Sequence, residues 1–196
     1  APSMATMLCV LTTDAAVSPG LLRRLLQRAV ARTFNRISVD GEMSTNDTVF
    51  CLAGGRSGIR IRPGSAAERT FSSMLEAVAG KLARLIVRDG EGATRMMEVR
   101  VGGARSEREA QACARQVAVS SLVKTMLAGS DPNVGRIAGA VGASGASFDP
   151  GRLEIFIGPH RVVARGMVLP RAQAASRPWL RRPEVGVRIE LHAGRA

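Results

Sequence analysis

A single hydroxyl, that of Thr6, stands at the entrance to an apolar run, Met7 to Leu11, within the opening stretch APSMATMLCVLTTD. No Ser/His/Asp spacing, P-loop or HExxH motif is found in the sequence. His160 and His192 lie far apart, and the cysteines Cys9, Cys51 and Cys113 form no CxxC pair, so no metal is expected. What remains is a hydroxyl nucleophile without a histidine base. One arrangement removes the shortage. If the Ala5-Thr6 bond is cut, the freed α-amine of Thr6, with a pKa of about 7.7 to 8, sits beside its own hydroxyl and serves as general base. A threonine at a strand edge is far more often structural than catalytic, so spacing alone does not decide between the two readings.

The elements that would position such a group can be read from periodicity. Met7 to Thr13 reads as a buried strand, and Ser18-Pro19 opens a helix whose apolar side is Leu21, Leu22, Leu25, Leu26, Ala29, Val30 and Phe34. The polar run Ser44 to Thr48 leads into an apolar strand, Val49 to Ala53. That cluster is either the wall of a site or an Asx/ST turn holding its own backbone. After a glycine-rich loop, Gly54 to Gly64, a long helix spans Ala66 to Val87 and stops at Asp89-Gly90-Glu91-Gly92, which sets Glu91 in a tight turn before a strand, Thr94 to Val101. A helix capped by Ser106 is expected to continue unbroken to Leu127. Beyond it come the turn-rich GSDPNVG, a small-residue helix from Arg136 to Ala143, a hairpin around Gly158-Pro159-His160, a helix from Arg171 to Arg182 ended by Pro183, and a strand, Val185 to Leu191. This order predicts one mixed α/β domain with helices covering sheet faces.

Composition narrows the function classes. The net charge is +12, yet all of the 28 basic residues except Lys81 and Lys124 are arginines, and they are dispersed from Arg23 to Arg195. Aromatics make up only 3% of the chain, which disfavours a base-stacking surface; a phosphate-only contact surface survives on charge alone. No apolar run is long enough to span a membrane, and no secretory signal is visible. Three scattered thiols suit a reducing cytoplasm.

Several segments carry a more specific signal. APSMATMLCVLTTDAAV resembles the self-processing site of the ornithine acetyltransferase (glutamate N-acetyltransferase) family, and DGEMSTNDT (Asp40 to Thr48), DGEGATR (Asp89 to Arg95), SLVKTMLAGSDPN (Ser121 to Asn133) and Gly135-Arg136 follow in that family's order. The resemblance implies a layered αββα sandwich. It also implies cleavage at Ala5-Thr6, with residues 1–5 a remnant of an upstream alpha segment and residues 6–196 a beta-chain domain. Thr6 would be the nucleophile that carries acetyl from N-acetylornithine to glutamate in arginine biosynthesis, and Glu91 would contact substrate. Asn46, Asp47, Lys124 and Asn133 are expected to support the site rather than touch substrate. No cofactor is implied, acetyl-CoA being an alternative donor. The implied partner is the alpha chain, in a cytoplasmic heterotetramer of two alpha and two beta chains, with no nucleic acid or membrane.

The sequence departs from the family pattern at several points. Val134 stands where tryptophan is usual, and Arg95 where lysine is usual. The closing segment that supplies a substrate-binding asparagine and threonine is not present after LHAGRA, and the family's oxyanion-hole Thr-Gly pair and substrate-binding lysine belong to the alpha segment. The chain alone is therefore expected to be inactive. A related N-terminal-nucleophile amidase or aminopeptidase, and a basic nucleic-acid-binding module, are the alternative readings.

Overall fold

The structure, a computed structural model, describes residues 7–196, and its contacts fall into two compact units that divide between Glu91 and Gly92. In the first unit, β1 (Leu8–Thr13), a short β2 (Ala16–Val17), α1 (Pro19–Arg32), β3 (Thr48–Ala53), β4 (Arg60–Ile61) and α2 (Ala66–Arg88) follow in order. β1 and β3 pair in parallel, Leu8 opposite Thr48 through Thr13 opposite Ala53, and β2 pairs in parallel with β4. The strand alternation sends Cys9 and Leu11 inward, where they join Leu21, Leu25 and Ala29 of α1 and Leu75, Ala79 and Ala83 of α2. Helix starts follow the sequence signals. Ser18 is extended ahead of Pro19, and the Ser65 hydroxyl accepts from the Glu68 N–H (3.1 Å) while Glu68 accepts from the Gly64 N–H (2.6 Å).

The second unit contains β5 (Met96–Gly102), α3 (Glu107–Val119), α4 (Ser121–Ala128), α5 (Val134–Gly142), β6 (Glu154–Ile157), β7 (His160–Ala164), β8 (Met167–Val168), α6 (Pro170–Leu180) and β9 (Glu184–Glu190). Its sheet runs β5-β9-β6-β7-β8, with β5 and β9 parallel and the other pairs antiparallel. Val185, Val187, Ile189, Ile155 and Ile157 are buried from this sheet, in one core with Cys113 and Val117 of α3, Met126 of α4 and Ile137 of α5. Ion pairs lie along β5 and β9, Arg100 with Glu98 (2.7 Å) and Arg188 with Glu190 (2.8 Å), and between β7 and β6, Arg161 with Glu154 (3.1 Å). Trp179 packs beside Gly158, whose φ of +56° and lack of a side chain are both required, since a Cβ would lie 2.6 Å from the indole. The Arg182 guanidinium covers the same ring at 3.4 Å from its centroid.

Helices with mixed sheets bear out the α/β class. The helix from Ser106, however, does not run to Leu127 but breaks at Ser120, which is extended (φ −62°, ψ 118°) and uses its hydroxyl to accept from the Val123 N–H. A serine that offers the backbone a local acceptor competes with helix continuation, and β-branched Val117 and Val119 just before it weaken that continuation.

Truncation separates covered from uncovered leucines in the first unit. Leu25→Ala should cost about 2–5 kcal/mol in urea unfolding, as for a fully buried leucine. Leu52→Ala, at an exposed strand position, should stay within about 0.5 kcal/mol of the parent. Equal losses at the two sites would contradict the assigned facing of the strands.

Candidate active site

Ala5 and Thr6 lie outside the described residues; the residue that follows Thr6 is the first one placed. The Met7 N–H donates to Asp47 Oδ1 (2.8 Å), and the Met7 carbonyl accepts from the Thr48 N–H (2.8 Å). Asp47 Oδ2 accepts from the Ser44 N–H (3.2 Å), so one carboxylate holds both the STND turn and the head of β1. The turn closes on itself through the Asn46 N–H to Ser44 Oγ (3.1 Å) and Thr48 Oγ1 to the Asn46 carbonyl (2.9 Å). These are the bonds of an Asx/ST turn, and the Asp47 side chain reaches out of it to the head of another strand. Upstream, the Glu42 N–H donates to Asp40 Oδ1 (2.9 Å), and this bond is the main cause holding the Asp40 carboxyl below its ordinary pKa.

Glu91 lies exposed in the turn after α2, beside Gly92 at φ +69°. Within the second unit, the segment just beyond it is held by Arg95, and two further side chains hold the neighbouring helix and loop. Arg95 donates to the carbonyls of Leu127 (2.5 Å) and Ala128 (3.0 Å) at the C-terminal end of α4, where carbonyls lack helical partners and a cation is favoured. Arg136 donates to the Leu122 carbonyl (3.2 Å) and Thr125 Oγ1 (2.8 Å) of the same helix, which carries Lys124. Gln173 of α6 donates to the Pro132 carbonyl (2.6 Å), tethering the DPN loop whose Asn133 is the N-cap of α5.

Two departures noted in the sequence acquire a physical sense here. Arg95 serves both carbonyls from a single guanidinium nitrogen, so what the position uses is a cationic donor at a helix C-terminus, a requirement that lysine also meets. Val134 is buried in the core at the start of α5, so that position is one of packing. The roles of Arg95, Arg136 and Gln173 escaped the sequence reading. Their partners are backbone carbonyls 14 to 41 residues away and, for Arg136, also the Thr125 hydroxyl 11 residues away, which no local pattern announces.

Burial pushes the thiols of Cys9, Cys51 and Cys113 above their ordinary pKa; neighbouring Cys9 adds to the effect at Cys51, and a hydrogen bond with Ser144 partly offsets it at Cys113. Among the described residues no group of three or more His, Cys, Asp or Glu could hold a metal ion, and no helix is long and apolar enough to cross a membrane.

The ArgJ family model matches residues 1–196. Among curated relatives, the arginine biosynthesis bifunctional protein ArgJ of Symbiobacterium thermophilum is 48% identical over 194 residues, 98% of this chain and 48% of that protein. The protein of the same name in Geobacter sulfurreducens is 47% identical over 195 residues, 98% of this chain and 50% of that protein. The crystal structure of arginine biosynthesis bifunctional protein argJ from Bacillus halodurans superposes with a TM-score of 0.93 at 36% identity, covering 97% of this chain and 90% of that one. The chain thus spans about half the length of the curated relatives it matches.

Removing the Asp47 carboxylate should loosen the head of β1 without unfolding the unit. In Asp47→Ala the Met7 and Ser44 amides should exchange roughly tenfold faster, equivalent to about 1.4 kcal/mol, while the amides of Leu21 to Ala29 keep their protection. Unchanged Met7 exchange would show that the carboxylate does not anchor the strand. The thiols supply a pH test. Because their folded pKa values are raised, their contribution to stability is complete below the ordinary thiol pKa and is lost as pH rises through the folded values. Thermal stability should therefore fall above about pH 9, less steeply in Cys9→Ala. A pH profile identical in the variant would remove Cys9 as a cause.

Proposed function

The chain belongs to the ArgJ family, and on that premise we propose that it is the beta portion of a glutamate N-acetyltransferase that works by ping-pong acyl transfer through Thr6. The reading is supported by the family match along the whole chain and by the placing of Asp47, which ties down the residue next to Thr6. After self-cleavage of the Ala5-Thr6 bond, residues 1–5 leave with the upstream segment. The α-amine of Thr6 accepts the proton of its own hydroxyl as Oγ forms a bond to the acetyl carbonyl carbon of N-acetylornithine. Collapse of the tetrahedral adduct breaks the amide C–N bond, and the departing ornithine nitrogen takes the proton. In the second half the neutral amine of glutamate forms a bond to the acetyl carbon of the Thr6 ester and gives up a proton to the α-amine, and collapse of the adduct breaks the C–Oγ bond as that proton passes to Oγ.

Glu91 is assigned to the cationic side-chain amine of the donor, for which a carboxylate in a glycine-flanked turn is a suitable partner. Asn46, Asp47, Lys124 and Asn133 keep the surrounding segments in shape. The tetrahedral oxyanion needs donors of its own. In this reading they come from the Thr-Gly pair of the alpha chain, with which this chain assembles as a cytoplasmic heterotetramer, and without which it is inactive. No cofactor is required, and acetyl-CoA is a second candidate donor.

Intact mass after brief exposure of the alpha-beta complex to N-acetylornithine should show one added acetyl group, absent in Thr6→Ala. Acetylation that survives Thr6→Ala would sink the mechanism, and release of acetate to water with no transfer to glutamate would make the protein an amidase instead. Glu91→Gln should lower kcat/KM for N-acetylornithine by roughly 10- to 150-fold, corresponding to about 1.5–3 kcal/mol for a charged hydrogen bond. The same substitution should leave the thermal midpoint unchanged, because the residue is exposed.

A further inference from the structure

At the head of β1 the ladder with β3 ends on a side chain where a backbone acceptor would ordinarily stand. Leu8 lies opposite Thr48, so Met7 is level with Asp47. In an unbroken parallel pair a residue sends its N–H to the carbonyl one position before the facing residue and accepts from the N–H one position after it. For Met7 those partners are the Asn46 carbonyl and the Thr48 N–H. The Thr48 N–H is in place (2.8 Å). The Asn46 carbonyl instead accepts from Thr48 Oγ1 (2.9 Å), and the Met7 N–H donates to Asp47 Oδ1 (2.8 Å).

The turn does not require that oxygen for its own closure. Its Asn46 N–H has Ser44 Oγ (3.1 Å), and the Ser44 N–H takes the other carboxylate oxygen, Oδ2 (3.2 Å). Ser44 thus steadies the Asp47 side chain from within the turn and leaves Oδ1 for the strand. A bond from an N–H to a charged acceptor is about twice as strong as the neutral bond it stands in for.

What this bond holds is more than one amide. A peptide unit is planar from one α-carbon to the next, and the Met7 N–H belongs to the unit that joins Met7 to Thr6. With the N–H tied to Asp47 and the Met7 carbonyl tied to Thr48, that unit cannot swing freely, and a group attached to it keeps only rotation about its own bonds. Such restraint matters in acyl transfer, where reacting atoms must come within about 3–3.5 Å and a misplacement of about 1 Å costs on the order of a hundredfold in rate.

We propose that Asp47 is a positioning residue for the reaction: through the Met7 N–H it fixes the peptide unit that carries Thr6, without itself touching substrate. This rests on the reading of Thr6 as the acyl-accepting nucleophile.

The test is rapid-quench acylation of the alpha-beta complex by N-acetylornithine, followed by intact mass across a range of donor concentrations. Expressing the two portions separately, with an initiator methionine ahead of Thr6 whose removal exposes the amine, keeps the rates independent of self-cleavage. In Asp47→Ala the saturating rate of Thr6 acylation should fall about 30- to 100-fold, while the half-saturating donor concentration stays within about threefold of the parent. Asp47→Asn keeps an oxygen able to accept from the Met7 N–H, although its NH₂ cannot accept from Ser44, and should recover to within about fivefold of the parent. Thr48→Val removes only a bond internal to the turn and should stay within about threefold. Amide protection of Leu21 to Ala29 reports folding; if Asp47→Ala does not fold, Asp47→Glu, which keeps the charge but displaces it by a methylene, should acylate about tenfold more slowly.

A parental rate in the folded alanine or glutamate variant overturns the proposal. So does a raised half-saturating concentration at an unchanged saturating rate, which would make Asp47 a substrate ligand. An asparagine variant as slow as alanine would make charge rather than the tether decisive, and equal slowing in Thr48→Val would reduce Asp47 to one of several turn formers; either result sinks the idea. Absence of acetyl-Thr6 in the parent removes the nucleophile reading and this proposal with it, whereas acetyl-Thr6 in the parent with equal rates in the variants removes this proposal alone.

Discussion

The parallel register of β1 on β3 is the constraint on which the first unit depends. Side chains alternate along a strand, so a slip of one residue would exchange the covered set, Cys9 and Leu11, for the outward set, Leu8 and Val10. Both sets are apolar, and hydrophobicity therefore distinguishes them poorly. Asp47 supplies what the pattern lacks. Its carboxylate fastens the Met7 amide at the strand's first step, and the Thr48 amide bonds the Met7 carbonyl, bonds that fit the register with Leu8 opposite Thr48. A polar turn thus fixes the frame in which an ambiguous strand is read.

In the second unit α4 has a comparable place. It is eight residues long, too short to be stable from its own hydrogen bonds. Arg95 covers the carbonyls at its end and Arg136 holds its middle, while Val123, Met126 and Leu127 anchor it to the core. Arginine elsewhere in the unit follows the same economy of many donors in a flat group: Arg182 lies over Trp179, and Arg188 both covers Phe156 and pairs with Glu190. A composition that suggested a dispersed positive charge is in good part a set of structural contacts.

Local order was the legible part of the sequence. The amphipathic faces of α1 and α2, their serine starts, and the strands β1, β3 and β9 all follow from periodicity and capping, because each depends on neighbours within a few residues. The break at Ser120 was not legible, since the surrounding apolar spacing continues through it and only the serine's hydrogen bond decides. α6 accommodates Pro178 and ends at Leu180, short of the expected Arg182. For the site, chemistry alone never lifted Thr6 above an ordinary strand-edge hydroxyl. Short motifs carried that assignment, and the residues it names fall outside the described part. Asp47 was visible as a turn former, but its hold on a strand forty residues earlier was not.

The contact between Gly158, Trp179 and Arg182 also determines how the protein can be watched. The sequence has one tryptophan and no tyrosine, so indole emission comes from Trp179 alone, and its stacked guanidinium and edge-on His160 make that emission a reporter of how α6 seats on the β6-β7 hairpin. The first unit, with β1 and the Asp47 anchor, is dark to the same light. Optical unfolding followed through the indole therefore tracks one half of this molecule, and the half that leads into Thr6 has to be followed by other means.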